Sequence, residues 1–170
     1  MANIFDYLKW RGDLTFTQDP PNAVDALVFS SLSYIQFHGM VEAVPQVPVS
    51  LKAAAEEFFA QDDYESCCRV PKDLDLLHAA IQTKRYGESQ ICMYRDLYIP
   101  EQETQFAAVT FLLDDGSAFL TFRGTDYTLV GWKEDFNMSF QQTVPAQRLA
   151  QQYLRDVASE YELPIRLGGH

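Results

Sequence analysis

The sequence predicts an α/β fold in which N-terminal helices pack on a sheet, and an antiparallel meander in that sheet leads into a βαβ unit. Three observations predict it. Apolar residues recur at helical spacing through much of residues 1–88. From residue 89 the pattern changes to short runs rich in Val, Phe, Tyr, Leu and Thr. Near the C-terminus a strand, a long amphipathic helix and another strand follow one another, the order of a βαβ unit with a parallel pair and a right-handed crossover. The 170 residues are expected to form a single domain with a substantial core.

Residues 3–10 read as a short amphipathic helix carrying Ile4, Phe5, Leu8 and Trp10, ended by a turn at Arg11-Gly12-Asp13. Asn22 is a candidate N-cap for a helix in which Val24, Leu27, Val28, Leu32 and Ile35 recur through about Phe37, with His38 and Gly39 as its end. Ser50 caps a third helix with Leu51, Ala54, Ala55 and Phe58 on one face. A fourth is expected from Pro71, with Gly87 just beyond its end as the C-cap. Its stripe is Leu74, Leu77, His78 and Ile81, with His78 packed, Asp73 and Asp75 in the first turn, and Lys84 and Arg85 in the last.

Residues 91–98, 106–113 and 118–123 read as strands. The last two form a hairpin turned by Asp114-Asp115-Gly116-Ser117. The run 106–113 is apolar on both faces, so it belongs inside a sheet covered on both sides. Thr143 is a candidate cap for a helix whose apolar face carries Ala146, Leu149, Ala150, Tyr153, Leu154, Val157 and Tyr161. Residues 163–167 read as a final strand before Gly168-Gly169-His170.

Composition narrows the function. The net charge is −11 and the pI about 4.5. Such a surface repels phosphate backbones and anionic headgroups, which argues against nucleic-acid partners and polybasic membrane docking. Cys67, Cys68 and Cys92 are odd in number and lack zinc spacing, so reduced thiols and a cytoplasmic setting are expected, with no metal and no cofactor. No apolar run reaches the roughly 20 residues that span a bilayer, so no stable membrane anchor is expected. Oligomeric state is not readable.

Chemistry concentrates in residues 118–136. An apolar strand ends in Arg123-Gly124-Thr125-Asp126, and Trp132 and Asp135 follow in a Trp-x-x-Asp segment. A strand that ends in Gly and a hydroxyl residue leaves backbone N–H groups without a strand partner, a corner suited to a negative oxygen. Gly168-Gly169 is the composition of a tight strand-to-helix turn, where backbones approach closely.

Together these residues resemble the class 3 lipases, in a bacterial lipase-like branch. That family carries a strand ending Phe-Arg-Gly-(Thr or Ser), then Trp-x-x-Asp, a long helix, and an elbow strand leading to Gly-x-Ser-x-Gly, often begun Gly-His-Ser. Here Phe122-Arg123-Gly124-Thr125, Trp132 to Asp135, the helix after Thr143, and the strand into Gly169-His170 stand in that order over roughly the last half of the chain.

The resemblance implies an α/β-hydrolase-like sheet, incomplete at the C-terminus. It also implies a serine hydrolase of the lipase or esterase type, acting on a small-molecule or lipid ester, with the nucleophile immediately after His170 and the acid and base further on. Thr125 would hold the oxyanion, and Asp135 would orient Thr125. Gly124 would allow close approach, Arg123 would anchor the loop through an ion pair, and Trp132 would pack beneath it. Asp126 stays open between a turn residue and part of the site, and His170 is structural rather than the base. The interval between the motifs is shorter than in fungal lipases, which leaves less room for a helical lid. The 170 residues alone are expected to be inactive. The alternative is a non-catalytic binding module on the same scaffold.

Overall fold

The structure, a computed structural model, describes residues 2–43, 47–102, 104–124 and 144–169. It has a mixed α/β architecture built on a five-stranded, mostly antiparallel sheet, with six α-helices among the described residues. The strands are β1 (Val49–Ser50), β2 (Gln90–Ile99), β3 (Thr104–Leu112), β4 (Ala118–Arg123) and β5 (Ile165–Gly169), and they lie in sequence order across the sheet. The pairs β1–β2, β2–β3 and β3–β4 are antiparallel. The pair β4–β5 is parallel.

The N-terminal helices begin where short polar side chains satisfy free backbone N–H groups. In α1 (Ile4–Arg11) the Asn3 side chain accepts from Phe5 N at 2.8 Å and the Asp6 carboxylate accepts from Asn3 N at 2.9 Å. Asn22 and Asp25 repeat the arrangement for α2 (Ala23–Leu32). That helix stops five residues before the expected Phe37. Serines at its end offer the backbone other partners: the Ser33 hydroxyl donates to Ser30 O at 2.7 Å, and Tyr34 N and Ile35 N turn back to the i−3 carbonyls of Ser31 and Leu32. Ser50 caps α3 (Leu51–Phe59) through Ala53 N at 3.1 Å.

The single helix expected between Pro71 and Gly87 is two helices, α4 (Pro71–Ile81) and α5 (Lys84–Gly87), and Gly87 lies in the second rather than beyond it. Thr83 separates them: its hydroxyl donates to Ala80 O at 2.7 Å and accepts from Tyr86 N at 3.2 Å. His78 is exposed, and the buried stripe of α4 is Leu76, Leu77, Ala80 and Ile81. The phase of a short helix with apolar residues at 74, 76, 77 and 81 is ambiguous until a neighbour selects a face.

Arg85, read in the sequence as a charge on a helix end, is fully buried. Its Nε and Nη2 donate to the two Asp25 oxygens at 2.8 and 2.7 Å, and its Nη1 donates to Leu14 O and Thr15 O at 3.2 and 3.3 Å. Tyr7 and Tyr86 hydroxyls also donate to Asp25. One ion pair thus joins α1, α2, α5 and the loop after α1.

The sheet has an apolar cluster on each face. Phe16, Val28, Phe29, Ile91, Tyr94, Val109, Phe111 and Phe119 belong to the cluster beneath the N-terminal helices. Cys92, Met93, Phe106, Ala108, Leu120, Tyr153 and Val157 belong to the cluster beneath α6 (Pro145–Tyr161). Strand β3 lies in the middle and is buried along nearly its whole length, as its two-sided apolar pattern predicts. The hairpin turn between β3 and β4 places Gly116 at φ 76°, a left-handed position that glycine adopts without a Cβ clash. Helix α6 begins at Pro145, with Val144 at its N-cap position and the Gln147 side chain accepting from Val144 N at 3.2 Å. The expected cap, Thr143, lies outside the described residues.

Candidate active site

Strand β4 ends at Arg123, and half-buried Gly124 follows it. Strand β5 runs beside β4 in the same direction, with Gly168 opposite Thr121 and Gly169 opposite Phe122. The chain therefore leaves both strands at one end of the sheet, on neighbouring strands. Outside the carboxyl ends of parallel strands is where open α/β sheets commonly place their ligand sites.

Gly168 and Gly169 lie within β5, paired with β4, rather than in a turn. A Cβ on Gly168 would stand 2.6 Å from Phe119 Cζ and 3.2 Å from Ser30 Oγ. The glycine is what lets α2 and the Phe119 ring close over β5. Thr121, opposite it, is fully buried, and its hydroxyl has no hydrogen-bond partner among the described residues.

Arg123 points to the helical layer. Its Nη1 and Nη2 donate to the two oxygens of Asp96 on β2 at 2.9 and 2.6 Å, a bidentate pair that is largely buried on both sides. The Tyr94 hydroxyl donates to Asp96 Oδ2 at 3.0 Å, and His38 Nε2 lies 3.5 Å from the same oxygen. The His38 ring meets the Tyr94 ring edge-on at 5.2 Å. Burial, with the Asp96 charge beside it, pushes the Tyr94 phenol well above its usual pKa, so the hydroxyl keeps its proton and acts as a donor. A groove of about 490 Å³ opens beside this cluster between His38, Val41 and Ala43 on one side and Tyr94, Asp96 and Leu97 on the other.

On the other face Arg95 Nη2 donates to Asp156 Oδ2 on α6 at 2.7 Å. The Arg95 and Gln152 hydrogen bonds hold Asp156 below the usual carboxylate range. Thr110 and Tyr153 share a buried hydrogen bond of 2.7 Å that ties β3 to α6. Tyr153 is also raised well above a free phenol, by burial first.

Of the residues singled out in the sequence, Arg123, Gly124, Gly168 and Gly169 sit together at this end of the sheet. Thr125, Asp126, Trp132, Asp135 and His170 lie outside the described residues. The sequence reading missed Asp96 and Tyr94 and took His38 as a helix end. A carboxylate inside the strand run Met-Tyr-Arg-Asp-Leu-Tyr was the available signal, since a charge there needs a partner. Among the described residues no group of three or more His, Cys, Asp or Glu is placed to hold a metal ion, and no helix is long and apolar enough to cross a membrane.

A protein-family model described as Mbeg1-like matches residues 80–170, from the end of α4 through β5 and more than half of the chain. The family is lipase-like. No curated protein and no solved structure matches the chain.

Proposed function

The chain belongs to the Mbeg1-like family, and from that membership we propose that residues 1–170 are the N-terminal part of one α/β-hydrolase domain, that of a serine hydrolase cleaving carboxylic esters through an acyl-enzyme. One observation supports this reading above the others. The strand ending Phe122-Arg123, with Gly124 after it, and the strand ending Gly168-Gly169 are parallel neighbours, with Phe122 opposite Gly169. In this fold the two N–H donors of an oxyanion hole come from the loop after one strand and from the residue that follows the nucleophile on another.

In the proposed mechanism a serine following His170 attacks the ester carbonyl, and a base further along the chain takes its proton. The carbonyl oxygen becomes an oxyanion, held by the Thr125 backbone N–H and by the N–H of the residue after the serine. Asp135 accepts a hydrogen bond from the Thr125 hydroxyl and orients that residue. Collapse of the tetrahedral intermediate expels the alcohol, and water then releases the acid. Trp132 would pack beneath the loop, and Asp126 would serve either as a turn residue or as part of the site. The substrate is a small-molecule or lipid ester, and the setting is cytoplasmic.

The test uses the protein extended past His170. A fluorophosphonate probe is expected to label a single serine, and short-chain p-nitrophenyl esters to be hydrolysed. Thr125→Val is expected to lower kcat by about 10²–10³, the usual cost of one oxyanion donor. The 170-residue chain alone is expected to give no turnover. An extended protein that folds but takes no label is a binding module rather than an enzyme, and unchanged kcat in Thr125→Val removes that residue from the site.

A further inference from the structure

Strand β2 contains a bulge that decides what the end of β4 is anchored to. Ile91 faces the helical layer and Cys92 faces α6. With unbroken alternation, Tyr94 and Asp96 would also face α6. Instead Cys92 pairs with Thr110 and Arg95 with Ala108, so Met93 and Tyr94 together oppose Val109. Met93 takes φ 52° to make this possible, a left-handed backbone that non-glycine residues seldom adopt. Past the bulge the faces are exchanged. Tyr94 joins the core beneath the N-terminal helices, and Arg95 turns to α6 and Asp156. Asp96 turns to the helical layer, the face on which Arg123 lies.

The row that follows is a built one. Asp96 pairs with Ala107, and Ala107 pairs with Arg123, so the three form one line across β2, β3 and β4. At the usual strand spacing Asp96 and Arg123 stand roughly 10 Å apart at the backbone. A carboxylate and a guanidinium can close that gap because the residue between them is an alanine, buried with 2% exposure. The Tyr94 hydroxyl holds the carboxylate from a third direction, and the Tyr94 ring is packed edge-on against Phe37 and His38. The carboxylate is thus the fixed member, and the arginine is held to it by two hydrogen bonds.

We infer that Asp96 is a positioning residue for the end of β4: through Arg123 it holds the strand end at which the chain leaves for Gly124. Its consequence for turnover rests on the oxyanion reading proposed above, whereas the clamp rests on geometry alone. The strained bulge is the element that makes the clamp available, a local cost of the kind found beside functional sites.

The test compares Asp96→Asn and Arg123→Lys with the unsubstituted protein extended past His170. Lysine keeps the charge of Arg123 but not its two-pronged geometry. Hydrogen exchange is read on peptides spanning 120–128, and kcat and KM are read on p-nitrophenyl butyrate. Both variants are expected to speed exchange of those peptides about tenfold or more, the worth of a charge-assisted hydrogen bond, while peptides of α2 and α6 keep their protection. They are also expected to lower kcat by on the order of 10- to 100-fold, as small misplacements of catalytic groups do, with KM nearly unchanged. Unchanged exchange in both variants overturns the clamp. Faster exchange with unchanged kcat in an active protein overturns the positioning role. If the unsubstituted protein shows neither turnover nor probe labelling, the serine-hydrolase reading fails, and the exchange result alone decides the clamp. Should Asp96→Asn not fold, Arg123→Lys decides.

Discussion

Asp25 shows how one side chain organises a layer. It is fully buried and accepts hydrogen bonds from Arg85, Tyr86, Tyr7 and the Asn22 backbone. Burial by itself raises its pKa, but the Arg85 and Tyr86 hydrogen bonds outweigh that and hold the carboxyl below its usual value. Asp25→Asn removes the bidentate carboxylate from the buried Arg85 charge and leaves it only the longer Asp19 contact at 3.7 Å, so it is expected to cost about 3 kcal/mol, read from urea unfolding at neutral pH. Thr121 is the opposite case. Its buried hydroxyl has no partner among the described residues, so the folded state gains nothing from it. Thr121→Val, of nearly the same shape, is expected to raise stability by about 1 kcal/mol in the same measurement.

Among the elements, the division between α4 and α5 turns on one hydroxyl. Thr83 ends one helix by donating to Ala80 O and starts the next by accepting from Tyr86 N. That capping interrupts the helix ahead of Arg85 and Tyr86, both of which donate to Asp25. Thr83→Ala is expected to cost about 1 kcal/mol in thermal unfolding, the usual worth of an N-cap. Strand β2 carries a second reorientation of this kind. Its bulge sends Asp96 to Arg123 across the sheet and Arg95 to Asp156 on α6, so one strand ties the sheet to itself and to α6.

At the scale of the whole molecule, the described residues form three layers, the N-terminal helices, the sheet and α6, with ionic ties within and between them. Asp25 joins the helices to each other, and Asp114 joins the β3–β4 turn to the loop after α1 by accepting from Phe16 N at 2.8 Å. Burial works against ionisation of Asp114, but bonds from Thr15, Thr17 and Phe16 prevail, and its pKa too is lowered. Both groups have folded pKa values below the unfolded value of about 3.9. Their contribution is therefore complete above that value and is lost as pH falls through the folded values. Stability is expected to be flat near neutrality and to drop below about pH 4. The drop should be shallower in Asp25→Asn, a comparison made by urea unfolding at stepped pH.

The sequence pattern determined most of the succession of helices and strands, without β1 and the break between α4 and α5, along with the two-sided burial of β3, the hairpin and the parallel pair at the end. These follow from spacing, turn residues and propensity, which are local properties of the chain. The caps at Asn22 and Ser50 were legible for the same reason. Tertiary structure decided the rest. A helix phase such as that of His78 is set by the neighbour it packs on. The burial of Arg85 depends on Asp25, sixty residues away. The bulge at Met93 reverses faces that an alternating pattern would assign the other way. At the candidate site Arg123 and Gly124 were readable as a motif, because a strand end followed by glycine is a local signal. Asp96 was not, because its partner is found only when two strands on either side of an alanine come into register.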